Sequence, residues 1–570
     1  MTAIPRPEHP IPQMERANWQ NLNGEWNFAI DHGKSGVDRK WYEKTEFDQK
    51  IIVPFCPESE LSGIEYKDFM AAVWYQRFID ITKEQLEGCV RLHFGAVDYE
   101  CHVYINGKEA GVHKGGYSSF VFDITEYLTE GKNNLVVYAI DDTRSPLQPS
   151  GKHSGLYDSY GIVYTRSTGI WQTVWLEFVP KAYIKTVRYF PDIDNQTLTI
   201  EAKFVGGTGT FTAKAFYEGR VCGSACVNVI SADSACVTIA LSELHLWEVG
   251  AGRLYDLELT FGEDKVKSYF GMRTIRIEGY KYLINNRSVF QRLVLDQGYY
   301  PDGVYTAPTD ADLINDIKIS QTVGFNGARP HQKIFESRFL YHCDRLGYIV
   351  WGERADWGCD VTNDATLKYA LPEWMETLER DFNHPAIIGW CPFNECRPDP
   401  HSTKAADQFK IFYSLTKQYD PTRPCEDNSG GYHVVTDVWD THDYTHDAKI
   451  FATYFEDFAK GGPMINSFLP DDPWMPNIPA FVSEYGGVTW NPETDTWGFN
   501  DGPQNVKDFY DFYREVTWCM MDNPNIFGFC YTQLYDLEQE NNGLYTYDRK
   551  PKFDVKFFHD VNTRKAAIEE

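Results

Sequence analysis

The hydrophobic period of this chain changes once, near residue 276, and that switch constrains its fold more than any other feature. Before it, apolar residues recur at every second position in short runs; after it, short apolar runs alternate with stretches of helical spacing. A chain of 570 residues exceeds what one hydrophobic core can organise, so the switch marks a domain boundary.

In the first part, Leu198, Ile200, Ala202 and Phe204 alternate with polar residues, as do Tyr255, Leu257, Leu259 and Phe261. Such strands bury one face and wet the other. Val103-Tyr104-Ile105 runs into Asn106-Gly107, a pair that tolerates positive φ at both central positions, so a tight hairpin is predicted. Runs such as Val73 to Phe78 and Leu135 to Ile140, punctuated by Gly95, Gly111, Gly115 and Gly116, add further strands. Residues 1–180 read as a β jelly roll and residues 181–275 as an immunoglobulin-like β-sandwich.

In the second part, Thr309 precedes a helical stretch carrying Leu313, Ile314, Ile317 and Val323, with Asp312 placed to complete a capping box. A helix with Phe339, Leu340, Cys343 and Leu346 stops at Gly347, and Tyr348 to Trp351 follows as a strand. Phe325 to Ala328, Ile387 to Trp390, Phe481-Val482 and Ile526 to Phe529 are further buried strands. Residues 276–570 therefore suit a (β/α)8 TIM barrel, whose functional groups gather at the C-terminal ends of its strands.

Three of these runs end abruptly in polar residues: at Asn394-Glu395, at Glu484, and at Arg329-Pro330-His331. A carboxyl at such a position is partly desolvated, which raises its pKa and suits a general acid. A loop glutamate paired with Arg or Lys would look the same when taken alone. Two glutamates at matching positions of one barrel are a stronger signal.

The net charge of −28 excludes nucleic acid and anionic membranes as partners, since both need basic surfaces. It is compatible with a neutral substrate, and self-association is left open. Thirteen Cys without CxxC pairs read as buried free thiols of a reducing compartment. Met1 to Pro12 carries no apolar leader and no apolar run is long enough to span a bilayer, so a cytoplasmic protein is expected.

Several segments resemble glycoside hydrolase family 2, the β-galactosidase, β-glucuronidase and β-mannosidase group. Asn21 to Trp26, Tyr104 to Gly107 and Gly169 to Leu176 resemble its N-terminal jelly roll, and Phe270-Gly271-Met272-Arg273 its handover to the barrel. Asn383-His384-Pro385 through Trp390, followed by Asn394-Glu395, resembles its acid/base signature. The resemblance implies double displacement, with Glu395 as acid/base after the fourth barrel strand and Glu484 as nucleophile after the seventh. It also implies that Asn394 holds the sugar 2-hydroxyl and that Arg329 keeps Glu484 ionised. His331 matches the family histidine with a spacing one residue short. Tyr444, in Thr441-His442-Asp443-Tyr444, falls where relatives place a tyrosine beside the nucleophile, so His442 and Tyr444 join the expected sugar-binding set. Asp296, after the first strand, is expected to grip sugar hydroxyls.

The chain departs from the family in two places. Tyr531 stands where relatives commonly carry a Trp platform. Glu540-Asn541-Asn542 replaces the Asn-x-Lys pair that grips a uronate, so Glu538 and Glu540 would repel a carboxylated sugar. The expectation is thus a retaining exo-β-glycosidase on a neutral sugar of an oligosaccharide or glycoside, β-galactoside first. β-Galactofuranosidase, α-L-arabinosidase and β-mannosidase are alternatives within the class; a transglycosylase or an inactive carbohydrate-binding protein is the alternative outside it. The magnesium-holding acidic residues of long β-galactosidases find no match, and the i, i+4 pair His442 and His446 lies on strand and loop, so no metal or cofactor is expected.

Overall fold

The computed structural model describes residues 4–397, 403–472, 474–490, 503 and 505–569. The change of hydrophobic period coincides with a change of architecture. In the N-terminal unit a six-stranded and a four-stranded antiparallel sheet share one core, in which Trp26 and Tyr75 of one sheet meet Leu92, Phe94 and Leu176 of the other. The Asn106-Gly107 hairpin forms as expected: strands Glu100–Ile105 and Lys108–Lys114 pair antiparallel, with φ of 52° and 79° at the two turn residues.

The next unit packs a three-stranded sheet on a four-stranded one. Leu198, Ile200, Ala202, Phe204, Tyr255, Leu257, Leu259 and Phe261 all point into its core, so the period-two alternation becomes alternating burial. A small sheet of Ile275–Glu278, Lys281–Ile284 and Arg287–Ser288 then leads into the barrel. Its Tyr282 is buried against Trp351 and Phe527 of the barrel interior.

Among the described residues the barrel has seven parallel strands: β1 (Gln291–Asp296), β2 (Gly327–Pro330), β3 (Ile349–Glu353), β4 (Ile387–Cys391), β5 (Trp439–Asp443), β6 (Ala480–Gly486) and β7 (Ile526–Thr532). They follow the spatial order β4-β3-β2-β1-β7-β6-β5. An eightfold barrel needs one more element between β4 and β5. Residues 424–429 supply it through backbone bonds to the end of β4 and the segment after it: Trp390 N to Pro424 O, Glu426 N to Trp390 O, and Glu395 N to Ser429 O at 2.7 Å. This segment is Pro-Cys-Glu-Asp-Asn-Ser, with a proline that cannot donate and few apolar residues, so it pairs only in places.

Seven helices accompany the strands among the described residues, from α1 (Asp310–Thr322) to α7 (Val555–Asn562). The capping box of α1 is present, with Thr309 and Asp312 bonded reciprocally. Gly347 ends α2 (Ser337–Leu346) at φ 64°, the left-handed cap that glycine adopts without strain. All thirteen cysteines are unpaired, but Cys226 and Cys236 lie exposed, so the expected uniform burial of thiols does not hold. Among the described residues no helix is long and apolar enough to cross a membrane.

The N-terminal unit also reaches over the C-terminal mouth of the barrel. In its loop 141–168, Ser150 N donates to Trp357 O at 2.8 Å, Tyr164 OH donates to Glu540, and Thr165 N donates to Glu538 at 3.2 Å.

Candidate active site

Five strand ends bring the functional side chains together. Arg329 lies on β2, Glu353 ends β3, Asn394 and Glu395 follow β4, His442 lies on β5 and Glu484 on β6. Carboxylate oxygens of Glu395 and Glu484 and a ring nitrogen of His442 all lie within 4.8 Å of one another. His442 Nδ1 is 2.8 Å from Glu395 Oε1 and 3.5 Å from Glu484 Oε2.

Each glutamate has distinct company. Glu484, almost fully buried, accepts from Arg329 Nη1 at 2.9 Å through Oε1 and from the Tyr444 hydroxyl through Oε2. Burial alone would raise its pKa, but the charges of His442, Arg329 and His331 outweigh that and hold it below the ordinary range. Glu395 is partly open to solvent and adopts φ 50°, left-handed and rare for a residue with a side chain. Its Oε1 also faces Arg397 Nη2 at 3.1 Å. Burial pushes its carboxyl up, yet the His442 hydrogen bond and charge, then Arg397 and Lys152, bring it down to about 2. This reverses the expectation that desolvation would leave Glu395 with a raised pKa; the imidazole at hydrogen-bond distance decides the sign.

Arg329 organises the centre. It donates through Nε to Glu353 Oε2 at 2.6 Å, through Nη1 to Glu484, and through Nη2 to Asn394 Oδ1. Asn394 Nδ2 is buried and has no hydrogen-bond acceptor among the described residues. His331 donates or accepts at Nδ1 with Glu353 Oε1 at 2.9 Å and stands 4.0 Å from Glu484 Oε1. Glu353 was not singled out by sequence, although Ile349 to Gly352 followed by a glutamate carries the same signal as the two glutamates that were.

Because Arg329 is fully buried among carboxylates, Arg329→Met is expected to cost about 3–5 kcal/mol of stability by leaving acidic groups unpaired. It also removes a charge that lowers the pKa of Glu484. The acidic limb of kcat/KM should therefore move to higher pH, which thermal unfolding and a pH–rate series would measure together.

Two expected sugar contacts are elsewhere. Asp296 is buried and already accepts from Tyr535 OH at 2.6 Å and Gly298 N at 2.9 Å, serving as a cap for the loop after β1. Tyr531 faces the helical layer, where its ring packs on Tyr485, on Phe325 and on Tyr513 of α6 (Val506–Met521). Side chains alternate along β7, so it is Thr532 that turns to the site, 3.3 Å from the Tyr444 hydroxyl. Tyr531 thus cannot act as a stacking platform at the mouth.

The donors of Glu395, His442 and Glu484 are close enough together to hold a cation. Arg329 already supplies positive charge to Glu484, and His442 is bonded to Glu395, so the cluster is accounted for by protein partners and we assign no metal ligand. Lys152, from the N-terminal loop, was invisible to sequence reasoning because nothing local marks it. Its ammonium lies 4.9 Å from the Trp357 ring, and Trp357 Nε1 donates to Asn394 O at 3.1 Å.

Residues 19–147 match the family model for the sugar binding domain of glycosyl hydrolases family 2, and residues 275–564 match that for its TIM barrel domain. A β-glucuronidase of Streptococcus agalactiae is 22% identical over 95% of both chains. A β-galactosidase of Lactococcus lactis is 27% identical over 75% of this chain and 44% of its own. The solved β-glucuronidase of Ruminococcus gnavus in complex with D-glucaro 1,5-lactone superposes with a TM-score of 0.81 at 19% identity, covering 97% of this chain and 99% of its own. Two domain models in their family order, on a fold shared along the whole chain, make this protein a glycoside hydrolase of family 2.

Proposed function

We propose that the protein is a retaining exo-β-glycosidase working by double displacement, with Glu484 as nucleophile and Glu395 as acid/base. The observation that carries this is the separation of the two carboxylates, whose nearest donor atoms lie within 4.8 Å. Retention needs carboxyls about 5–5.5 Å apart, whereas inversion needs about 6.5–9.5 Å to admit a water. In the first step a Glu484 oxygen bonds to the anomeric carbon as the bond to the aglycone breaks, and the proton at Glu395 goes to the departing oxygen. In the second, Glu395 takes a proton from water, which bonds to the anomeric carbon and releases Glu484. Asn394 Nδ2 would donate to the 2-hydroxyl, a contact that strengthens as the ring flattens. The N-terminal loop across the mouth supports action at a chain end.

Two terminal sugars divide the observations. Glu538 and Glu540 on the rim favour a neutral β-galactoside. Lys152 favours a β-glucuronide: it is only 5% exposed, and its ammonium has no carboxylate within 4.0 Å among the described residues. Its charge acts on Glu395 and Glu540 without touching either, and a substrate carboxylate would give it a contact partner. Burial also raises the pKa of Glu540, which weakens the repulsion that argued against a uronic acid. The β-glucuronidases among the relatives add to this second reading.

A panel of nitrophenyl β-D-galactoside, β-D-glucuronide, β-D-mannoside, β-D-galactofuranoside and α-L-arabinoside, with product configuration followed by NMR, tests both levels. Net inversion would sink the mechanism. Lys152→Met should lower kcat/KM for the glucuronide about 10- to 100-fold more than for the galactoside, the loss of one charged hydrogen bond. Equal losses on the two would remove the uronate reading.

A further inference from the structure

The mechanism requires a proton at Glu395, and a hydrogen-bonded chain behind that residue decides where the proton can reside. Glu395 Oε1 faces His442 Nδ1 at 2.8 Å; His442 Nε2 faces Ser429 Oγ at 3.3 Å; Ser429 Oγ donates to Asp440 Oδ2 at 2.8 Å. Asp440 also accepts from Gly430 N at 3.0 Å and from the Ser483 hydroxyl, and its Oδ1 is 2.9 Å from His433 Nε2. The other face of His433 is 2.8 Å from Asp427 Oδ1 through Nδ1.

The donors and acceptors can be counted along this chain. Asp440 is buried, which would raise its pKa, but its bonds and charges, His433 foremost, keep it below the ordinary carboxylate range. An ionised carboxylate only accepts. The single proton of the Ser429 hydroxyl is therefore committed to Asp440, and the Ser429 oxygen can only accept from His442. His442 must then carry a proton on Nε2. With Nε2 protonated, a neutral His442 has a bare Nδ1, so a further proton bound by the pair lies between Nδ1 and Glu395 Oε1, in either of two positions.

We infer that Ser429 and Asp440 are positioning residues that fix the Nε2-protonated form of His442, so that a proton is held between His442 and Glu395 for delivery to the leaving group. The inference rests on Glu395 being the acid/base. Were His442 neutral with its proton on Nδ1, it would donate to Glu395 and leave that carboxylate with nothing to give. Ser429 is well placed to impose the choice. Its backbone is clamped on both sides of the acid/base, with Ser429 N donating to Phe393 O at 2.9 Å and Glu395 N donating to Ser429 O at 2.7 Å.

The charged and titratable groups around this chain are few. Glu395, Glu484 and Asp440 face His442; Arg397 and Lys152 act on Glu395; and Arg329 sits beside Glu484. Behind Asp440 lie His433 and the buried Glu426, whose carboxyl is pushed up by burial and by Asp440.

Ser429→Ala tests the inference, with Ser429→Thr as the variant that keeps the hydroxyl. The probes are 4-nitrophenyl, methyl and 2,4-dinitrophenyl glycosides of whichever sugar, β-D-galactose or β-D-glucuronic acid, the wild type turns over. Ser429→Ala should lower kcat/KM on the methyl glycoside about 10- to 100-fold, a part of the full general-acid contribution. The dinitrophenyl glycoside, which leaves without protonation, should be affected far less. The basic limb of the pH profile should move to lower pH, because the protonated pair has lost an acceptor. Ser429→Thr should restore both. A uniform loss on all leaving groups with an unmoved pH limb would mean a merely structural serine and overturn the inference. Glu395→Gln is run alongside: if it lacks the leaving-group dependence, the acid/base assignment fails first, and the two failures are distinguishable.

Discussion

Glu484→Ala should reduce turnover on a nitrophenyl glycoside by on the order of 10⁴-fold or more, the scale on which loss of a nucleophile acts in enzymes using a covalent intermediate. The surroundings give reason to expect a folded variant. Arg329 keeps its bonds to Glu353 and Asn394, and the Tyr444 hydroxyl keeps Thr532 within reach at 3.3 Å. Removal of the carboxylate also leaves a cavity between Arg329 and Tyr444 on the face from which attack occurs. Azide entering it would displace the aglycone in a single step, so the expected product is a glycosyl azide of inverted configuration. NMR of that product checks the assignment independently of the rate. Near-normal turnover, or rescue with retained configuration, would remove Glu484 from the nucleophile's place.

Much of this site was legible before any coordinates because strand ends leave a plain trace in sequence. An apolar run that stops at a carboxylate pointed to Glu395 and Glu484, and the run ending at Arg329 pointed to the charge beside Glu484. The hairpin at Asn106-Gly107 and the capping box at Thr309 were legible for a similar reason, being local rules of backbone geometry. What escaped was non-local or depended on facing. Tyr531 lies on the right strand but on its outer face, since alternation along β7 turns Thr532 to the site instead. Asp296 is on the right strand too, but Tyr535, more than two hundred residues away in sequence, claims its carboxylate. Lys152 arrives from a different unit altogether. The pKa of Glu395 was misjudged because burial was visible in the sequence and the His442 contact was not.

Glu395→Ala is expected to lower kcat by about 10²- to 10⁴-fold on a poorly leaving aglycone, the range of a general acid/base. The loss should depend on the leaving group in a way that the loss at Glu484 does not. A dinitrophenyl glycoside needs no proton to depart, so the first step should survive, while the second step lacks its base. The glycosyl-enzyme then accumulates, visible as a burst of dinitrophenolate followed by slow turnover and a lowered KM. Azide requires no deprotonation and should accept the sugar from Glu484, giving a glycosyl azide of retained configuration. The low pKa of Glu395, about 2, does not oppose this role. It belongs to the site without substrate, where Glu395 Oε1 lies 2.8 Å from His442 Nδ1. A bound sugar excludes water and disfavours a charged carboxylate, which raises the affinity of Glu395 for the proton it gives to the departing oxygen. If the burst is absent, or if methyl and dinitrophenyl glycosides suffer equally, the proton is delivered by another group and this account of the site fails.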